Sequence, residues 1–150
     1  MKKVARAADV GARQAWLWRN RFAFGKAIHS DRPRLLVDVS AILRHDAQTG
    51  IQRVVRAVWS ELARRDGDRL LVVPVYATNT QGYCYAPDDF LVRRGGAVGS
   101  EPVSVRPGDK FLGLDLSPHL LRKYRRHLLA WRAYGASIHL VVYDLLPLLR

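Results

Sequence analysis

Carboxylates and hydroxyls recur where the apolar runs of this sequence end. Asp38 and Ser40 close the first run, Asp115 closes a later one, and Tyr143 and Asp144 close the last. If these runs are parallel strands, their carboxyl ends meet at one edge of a sheet, which is where open α/β sheets bind ligands. Any one of these residues could instead cap the turn that follows it. Carboxylates gathered in one crevice are unfavourable unless they bind hydroxyls, cations or protons, so the recurrence of aspartate favours a functional site.

A second candidate site lies at residues 49–53, where the first run turns into a helical pattern. Thr49 and Gln52 have the spacing of a capping box, which is a sufficient structural explanation for both. Gly50 also permits close approach to the backbone, and first-turn amides point toward any bound anion. Arg53 places a positive charge near the positive end of the helix dipole, a cost that a phosphate would offset. The segment therefore predicts an anion site.

Other kinds of site find no support in the sequence. The dinucleotide fingerprint G-x-G-x-x-G and the P-loop are absent, which disfavours a nicotinamide dehydrogenase and a P-loop NTPase. Cys84 is the single cysteine, so an internal disulfide and a cysteine-based zinc cluster are excluded. There is no serine elbow or Cys–His pair, and five histidines show no metal-ligand spacing: His29, His45, His119, His127 and His139. We expect neither a metal nor another cofactor.

Alternating apolar patterns predict the elements that position these residues. Strand-like runs cover residues 35–39, 70–76, 110–115 and 138–144, with shorter candidates at 83–85 and 90–92. Helical patterns cover residues 51–62 and 118–134, the second with Ser117 as N-cap, Pro118 at its first position and Gly135 at its end. Such alternation is typical of βαβ units. The predicted fold is α/β and Rossmann-like, with a mostly parallel sheet flanked by helices.

Two details of these elements are specific enough to check. The helix at 51–62 is expected to bury one stripe of apolar residues at helical spacing: Ile51, Val54, Val55, Val58 and Leu62. Pro74 lies inside the run at 70–76. Because proline cannot donate to a β-ladder, it predicts an edge strand or a bulge.

Residues 1–33 differ from the rest, and we predict a boundary between this leader and a domain over residues 34–150. The leader mixes basic residues with tryptophan and phenylalanine, and is expected to be helical or partly disordered. It suits peripheral contact with an anionic membrane, although a helix packed on the domain would explain it as well. A signal peptide's apolar core is missing, and no run approaches the ~18 apolar residues of a spanning helix. We expect a cytoplasmic protein, with the inner membrane face as a possible site of contact.

The chain is strongly basic, with 25 Lys and Arg against 13 Asp and Glu and a formal net charge of +12. This charge attracts nucleic acid, an acidic membrane face or phosphate-bearing substrates. A basic nucleic-acid-binding module is therefore an alternative function, since residues 1–26 combine cations with stacking aromatics. A non-catalytic remnant is another. The α/β remainder carries no recognisable nucleic-acid motif, so specific nucleic-acid binding is not expected.

Four segments occur in order along the chain: LVDVS at 36–40, TGIQRVVR at 49–56, GLDLSP at 113–118 and VYDLLP at 142–147. Together they resemble the N-terminal domain of bacterial family 4 glycosyltransferases, which have the GT-B fold. The resemblance covers residues 34–150, and TGIQRVVR is its most specific part. It implies one half of a retaining, hexosyltransferase-like enzyme that needs no bound metal. In such enzymes the first domain binds mainly the acceptor, which would involve Asp38, Ser40 and Asp115.

The resemblance also assigns the donor and the reaction centre. The phosphates of a nucleotide-sugar would be approached by Gly50, Ile51, Gln52 and Arg53. Many relatives carry a His–Asp pair where this chain has Tyr143 and Asp144, which gives these two residues the catalytic position. The acceptor would be a polysaccharide or a lipid-linked saccharide. Most of the donor would be held by a second domain, through paired glutamates and basic residues.

The last residues, 145–150, are apolar and follow a predicted strand directly. We expect the sequence to stop inside a longer protein, as a gene fragment, a truncated reading frame or one half of a split enzyme. Without a second domain the donor pocket and the closed, water-excluding cleft are missing. The isolated chain is therefore expected to be inactive.

Overall fold

A computed structural model of the chain describes residues 31–44, 49–65, 69–87, 89–92, 101–114 and 118–143. The strands are β1 (Arg34–Asp38), β2 (Leu71–Ala77), β3 (Tyr83–Tyr85), β4 (Lys110–Gly113) and β5 (Ser137–Leu140). The helices are α1 (Ser40–Arg44), α2 (Gly50–Arg64) and α3 (Pro118–Ala133). Residues 1–30 lie outside the described residues, so the leader's conformation and the boundary after residue 33 stay predictions.

The five strands form one sheet in the order β3-β2-β1-β4-β5. β1 is parallel to both β2 and β4, and β4 is parallel to β5, while β3 runs antiparallel to β2. The chain thus passes outward from β1 to β2 and β3, then crosses to the other side of β1 for β4 and β5. This doubly wound arrangement confirms the predicted α/β, Rossmann-like fold with a mostly parallel sheet.

Each face of the sheet carries its own hydrophobic core. Successive residues of β1 alternate between the two faces, so Leu36 belongs to one core and Val37 to the other. The Leu36 core is completed by one face of α3, which contributes Leu120, Tyr124, Leu128 and Trp131. The Val37 core is completed by α1 and α2, which contribute Ile42, Val55 and Trp59. Helices α2 and α3 therefore cover opposite faces of the sheet.

The start of α2 is fixed by the predicted capping box. The Thr49 hydroxyl accepts a hydrogen bond from the Gln52 N–H, and the Gln52 side chain accepts one from the Thr49 N–H. The predicted buried stripe is only partly right, because Ile51 and Val54 are 46% and 45% exposed. The helix instead buries Gln52, Val55 and Trp59. Trp59 and the cap fix the rotation of the helix, which turns the first two apolar residues toward the surface.

The expected edge position of Pro74 is wrong, since β2 is an interior strand between β1 and β3. The Pro74 carbonyl accepts from the Ala86 N–H, so this residue presents its backbone polar groups toward β3. β3 ends at Tyr85, and its ladder with β2 covers only Val75–Ala77. The missing N–H of Pro74 thus falls just beyond the β3 ladder. Pro74 can therefore lie in an interior strand without removing a hydrogen bond from the ladder, because the neighbouring strand β3 is short.

The shorter candidates and the end of α3 give mixed outcomes. Residues 83–85 form β3 as predicted, whereas 90–92 form no strand: the N–H groups of Phe90 and Val92 donate three residues back, as in tight turns. The turn that closes α3 contains Gly135 as predicted, with a φ of 110°. The Ala136 N–H donates to the Trp131 carbonyl, and the Gly135 N–H to the Arg132 carbonyl. This is a Schellman motif, in which glycine accepts the left-handed conformation at least cost.

A buried ion pair joins the amino ends of β1 and β4. The Arg34 guanidinium lies 2.5 Å from the Asp109 carboxylate, and both side chains are 2% exposed. The guanidinium also donates to the Tyr85 hydroxyl and the Ser104 carbonyl, and the Arg106 N–H donates to Asp109. Burial alone would lower the pKa of Arg34, but the hydrogen bond and the charge of Asp109 raise it overall. The pair ties both strands to the loop before β4.

Candidate functional site

The parallel strands β1, β2, β4 and β5 have their carboxyl ends at one edge of the sheet, which we call the carboxyl edge. Val37 pairs with Leu112, so Asp38 and Gly113 come next on β1 and β4, and Gly113 pairs with Leu140 of β5. α2 begins at this edge, because it runs back from the end of β1 to the start of β2. The connections from β1 and β4 diverge here. In doubly wound sheets this switch point is where ligands bind.

Asp38 is a fully buried carboxylate beneath the carboxyl edge. It accepts hydrogen bonds from the Ser40 N–H at 2.9 Å, from the Ser40 hydroxyl, and from the Tyr83 hydroxyl at 3.3 Å. The Ser40 oxygen accepts in turn from the Ala77 N–H at 2.8 Å. Burial, reinforced by the negative charge of Asp38, raises the pKa of Tyr83, which keeps its phenol protonated as a donor. The network ties the end of β1 to α1, β2 and β3.

Ser40 is also fully buried. The structure therefore places both Asp38 and Ser40 inside the protein, where they form hydrogen bonds with each other, with Tyr83 and with the Ala77 N–H. A buried carboxylate needs such donors, and three of them compensate its desolvation. Contact of these two residues with an acceptor stays a prediction. Tyr83 was not recognised from the sequence, where its only signal is its place in the short run at 83–85.

Tyr143 lies at the carboxyl edge beside the end of β4. Its hydroxyl donates to the Leu114 carbonyl at 3.0 Å, and its side chain is 37% exposed. The Val141 N–H donates to the Gly113 carbonyl, which continues the pairing of β5 with β4 up to this point. The structure thus brings Tyr143 next to the residue that precedes Asp115. Asp115 and Asp144 themselves lie outside the described residues, so their predicted roles are untested.

The amino terminus of α2 presents its first amides at the carboxyl edge. The first bond of the helix runs from the Arg53 N–H to the Thr49 carbonyl at 3.0 Å, so the amides of Gly50 and Ile51 have no acceptor within α2. A side-chain carbon added at Gly50 would meet no atom of the described residues within 4 Å. Arg53 and Ile51 are exposed, while Gln52 is buried and its side chain forms part of the cap. No acidic residue occupies the first turn of α2.

This geometry is found in a chain that is similar to glycosyltransferases. Three curated proteins from Escherichia coli, each described as serotype-specific mannosyltransferase WbdA, are 39%, 39% and 38% identical to it over 118 residues. The matched region is 78% of this chain and 14% of each relative, so the chain spans about one seventh of their length. No family model matches the chain, and no solved structure matches it. The similarity supports a glycosyltransferase as the general class.

Among the described residues, no group of three or more His, Cys, Asp or Glu side chains is arranged to hold a metal ion. Over the same ranges, no helix is both long enough and apolar enough to cross a membrane.

The carboxyl edge thus collects most of the described residues that the sequence singled out, in two layers. Exposed at the edge are Tyr143 and the first turn of α2, with Gly50 and Arg53. Asp38 and Ser40 form a buried layer beneath it. The first amides of α2 and the Tyr143 phenol thus lie at an edge whose lower layer is held together by buried hydrogen bonds.

Proposed function

We propose that this chain forms the acceptor-side half of a retaining GT-B glycosyltransferase, as its resemblance to family 4 implies. The enzyme would move a sugar from a nucleotide-sugar to a polysaccharide or a lipid-linked saccharide. The relatives are described as mannosyltransferases, which supports a mannosyl group as the transferred sugar. The bond from the sugar's anomeric carbon to the diphosphate breaks, a bond to an acceptor oxygen forms with the same configuration, and the acceptor proton leaves with the phosphate or a base.

The donor phosphates would bind at the amino terminus of α2. The observation that carries this proposal is the space around Gly50, where an added carbon would meet none of the described residues within 4 Å. The φ of Gly50 also lies outside the range in which glycine is needed for conformational reasons. Neither packing nor backbone geometry explains a glycine here, whereas a ligand approaching the backbone would. Arg53 would add a positive charge to the amides of Gly50 and Ile51, and Gln52 would orient the turn.

The acceptor and the reaction centre would lie along the rest of the carboxyl edge. We assign acceptor contacts to Asp115 and the catalytic position to Asp144, with Tyr143 contributing a hydrogen bond to a sugar hydroxyl. Tyrosine is a poor base near neutral pH, given a reference pKa of ~10. Asp38 and Ser40 would support the acceptor side by fixing the backbone where β1 ends.

A second domain would complete the donor pocket and exclude water, whether it lies on the same polypeptide or on a partner. We therefore expect no turnover by the 150-residue chain alone. The enzyme would work in the cytoplasm, where nucleotide-sugars are found, and residues 1–33 would make peripheral contact with the inner membrane face.

Binding of donor phosphates can be tested by NMR titration of the chain with nucleotide diphosphates and nucleotide-sugars. We expect the amide signals of Gly50 and Ile51 to shift in the wild type. In Gly50→Ala the added carbon should weaken binding about tenfold or more, equivalent to ~1.4 kcal/mol. Stability of this variant should equal or slightly exceed that of the wild type, because alanine suits a helix better than glycine.

The matched control is Ser60→Ala, at an exposed position of the same helix. It should bind phosphates as the wild type does. The proposed donor site at α2 would be contradicted if the amide signals shifted only in other parts of the chain. Equal phosphate binding by Gly50→Ala and the wild type would contradict it as well. A transfer assay on the isolated chain is a separate test: turnover without a second domain would contradict the proposed need for one.

A further inference from the structure

The outward face of α3 carries a row of arginines interrupted by one exposed leucine. α3 contains five Lys and Arg and no Asp or Glu. Its inward face is settled by the core residues Leu120, Tyr124, Leu128 and Trp131. Opposite them, at spacings of i, i+3, i+4, i+7 and i+10, lie Arg122, Arg125, Arg126, Leu129 and Arg132, all exposed. We call these five residues the arginine face.

The arginine face has no internal compensation for its charge. Arg122 and Arg126 are four residues apart, and Arg122 and Arg125 three apart, spacings at which like charges repel and weaken a helix. Among the described residues, Arg34, Arg64 and Arg65 form ion pairs with described carboxylates, whereas no residue of this face does. An anionic partner would relieve this repulsion.

The partner's chemistry is indicated by the apolar residues among the charges. Leu129 is 50% exposed near the centre of the face, and Tyr134 is 61% exposed just beyond the end of α3. A soluble polyanion such as nucleic acid gains little from a leucine between arginines. A bilayer surface gains more, because cations pair with headgroups while apolar side chains enter the boundary with the acyl chains. Tyrosine is a residue that favours this interface.

We propose that the arginine face of α3 is a docking surface for an anionic lipid membrane. It consists of described residues of α3 and includes no residue of the leader at 1–33. The inference does not depend on sugar transfer. A membrane contact through α3 would hold the domain with the sheet face covered by α3 toward the lipid, and α2 on the side away from it.

The protein's single cysteine makes a direct test possible, because Cys84 is buried and would resist labelling. Leu129→Cys, labelled with an environment-sensitive fluorophore, should shift its emission to the blue when vesicles of phosphatidylcholine and phosphatidylglycerol are added. Ser60→Cys on the opposite side of the sheet is the matched label, and should not shift. Vesicles of phosphatidylcholine alone should leave both labels unchanged.

A second measurement separates this face from general charge attraction. Arg122→Gln with Arg126→Gln should weaken sedimentation with the anionic vesicles by roughly 10- to 30-fold, given the usual contribution of basic residues near an anionic surface. Arg64→Gln with Arg65→Gln removes the same charge from α2 and should have a much smaller effect. Leu129→Gln should weaken vesicle binding while leaving affinity for heparin and DNA unchanged. Circular dichroism would confirm that these surface variants fold.

Three results would overturn the proposal. A Leu129 label that stays unshifted while the protein sediments with vesicles would assign the binding to another segment, such as the leader. Equal losses of vesicle binding in the two double-glutamine variants would mean that binding depends on net charge and not on the arginine face. Vesicle binding by Leu129→Gln as strong as that of the wild type would favour a soluble polyanion, of which nucleic acid is the first to examine.

Discussion

Asp38 illustrates what a single residue's position in the sequence can and cannot predict. The pattern of an apolar run placed this aspartate at a strand end, and it does close β1. Its partners are Ser40, two residues away, and Tyr83, forty-five residues away on β3. The distant donor depends on which strands become neighbours, and local spacing does not contain that information. The strand end was therefore predictable, while the burial of the carboxylate was not.

His127 is a second residue whose environment depends on distant packing. Its ring lies 4.8 Å from the Trp131 ring and 6.2 Å from the Tyr83 ring, between centroids. A carbon added at Gly82 would come within 2.8 Å of it, so Gly82 leaves room for the imidazole. Within the described residues its Nε2 is buried without a hydrogen-bond partner. Burial lowers the pKa of His127, because the charged imidazolium is poorly solvated there.

We predict that His127 makes folding sensitive to mild acid. Because its pKa is lower in the folded state, the unfolded chain binds more protons, so stability rises with pH. The contribution is complete above the ordinary histidine pKa of ~6.5 and is lost progressively as the pH falls below that value. Urea unfolding on both sides of this value should show the loss in the wild type and a smaller loss in His127→Gln. His119→Gln, at an exposed position of the same helix, should keep the wild-type dependence; an unchanged pH dependence in His127→Gln would contradict the assignment.

At the scale of elements, α2 shows why periodicity locates a helix more reliably than its buried face. The pattern correctly predicted a helix near 51–62, and Thr49 and Gln52 form the expected cap. Ile51, Val54, Val55, Val58 and Leu62 gave one possible stripe, but Trp59 offered a larger apolar surface on a neighbouring face. Trp59 packs edge-on against Phe90, with ring centroids 5.1 Å apart. Burying that ring decided the rotation of the helix.

A pair of valines on α2 tests this rotation. Val55 is 1% exposed in the core with Trp59, while Val54 is 45% exposed. Val55→Ala should lower the free energy of unfolding by about 2 kcal/mol, because it removes buried methyl groups and leaves a cavity. Val54→Ala should stay within about 0.5 kcal/mol of the wild type, as surface substitutions do. Chemical denaturation of both variants is sufficient. Equal losses would mean that α2 is turned as the apolar pattern first predicted.

The strands follow the same division between local and distant information. The runs at 35–39, 70–76 and 110–115 all became strands within one or two residues, because alternation and β-branching are local. The run at 90–92 was too short to be distinguished from a turn. Pro74 predicted an edge that β2 does not occupy, because the short ladder with β3 stops at Val75 and leaves the proline outside it. The alternation of strands and helices predicted a mostly parallel sheet. It did not predict the strand order β3-β2-β1-β4-β5.

On the scale of the whole molecule, the two edges of the sheet have different chemistry. The carboxyl edge holds exposed Tyr143 and the open turn at Gly50 above buried Asp38. The amino edge is closed by the pair Arg34–Asp109, which is nearly inaccessible to solvent. Sequence patterns pointed to residues of the carboxyl edge and to none of those that close the amino edge. Asp109 precedes a predicted strand after a Pro–Gly turn, so it was indistinguishable from an ordinary turn residue.

The amino edge should contribute mainly to stability. Asp109→Ala would leave the Arg34 guanidinium buried without its carboxylate, and breaking a buried pair in this way costs about 3–5 kcal/mol. Urea unfolding measures the loss, and Glu61→Ala is the control. Glu61 pairs with Arg64 and Arg65 on the surface, and the hydrogen bond from Arg64 is the main cause of its lowered pKa. Solvent screens those pairs, so Glu61→Ala should change stability little.

If Asp109→Ala is too unstable to measure, a double variant shows whether the loss of stability comes from the unpaired charge of Arg34 or from lost hydrogen bonds. Arg34→Met with Asp109→Leu removes both charges and fills the same space with apolar side chains. When one partner's loss is costly because the other charge is left unpaired, removing both restores much of the stability. We therefore expect the double variant to unfold at a higher urea concentration than Asp109→Ala. A double variant as unstable as the single one would mean that the edge depends on the bonds from Arg34 to Tyr85 and Ser104 rather than on the balance of charge.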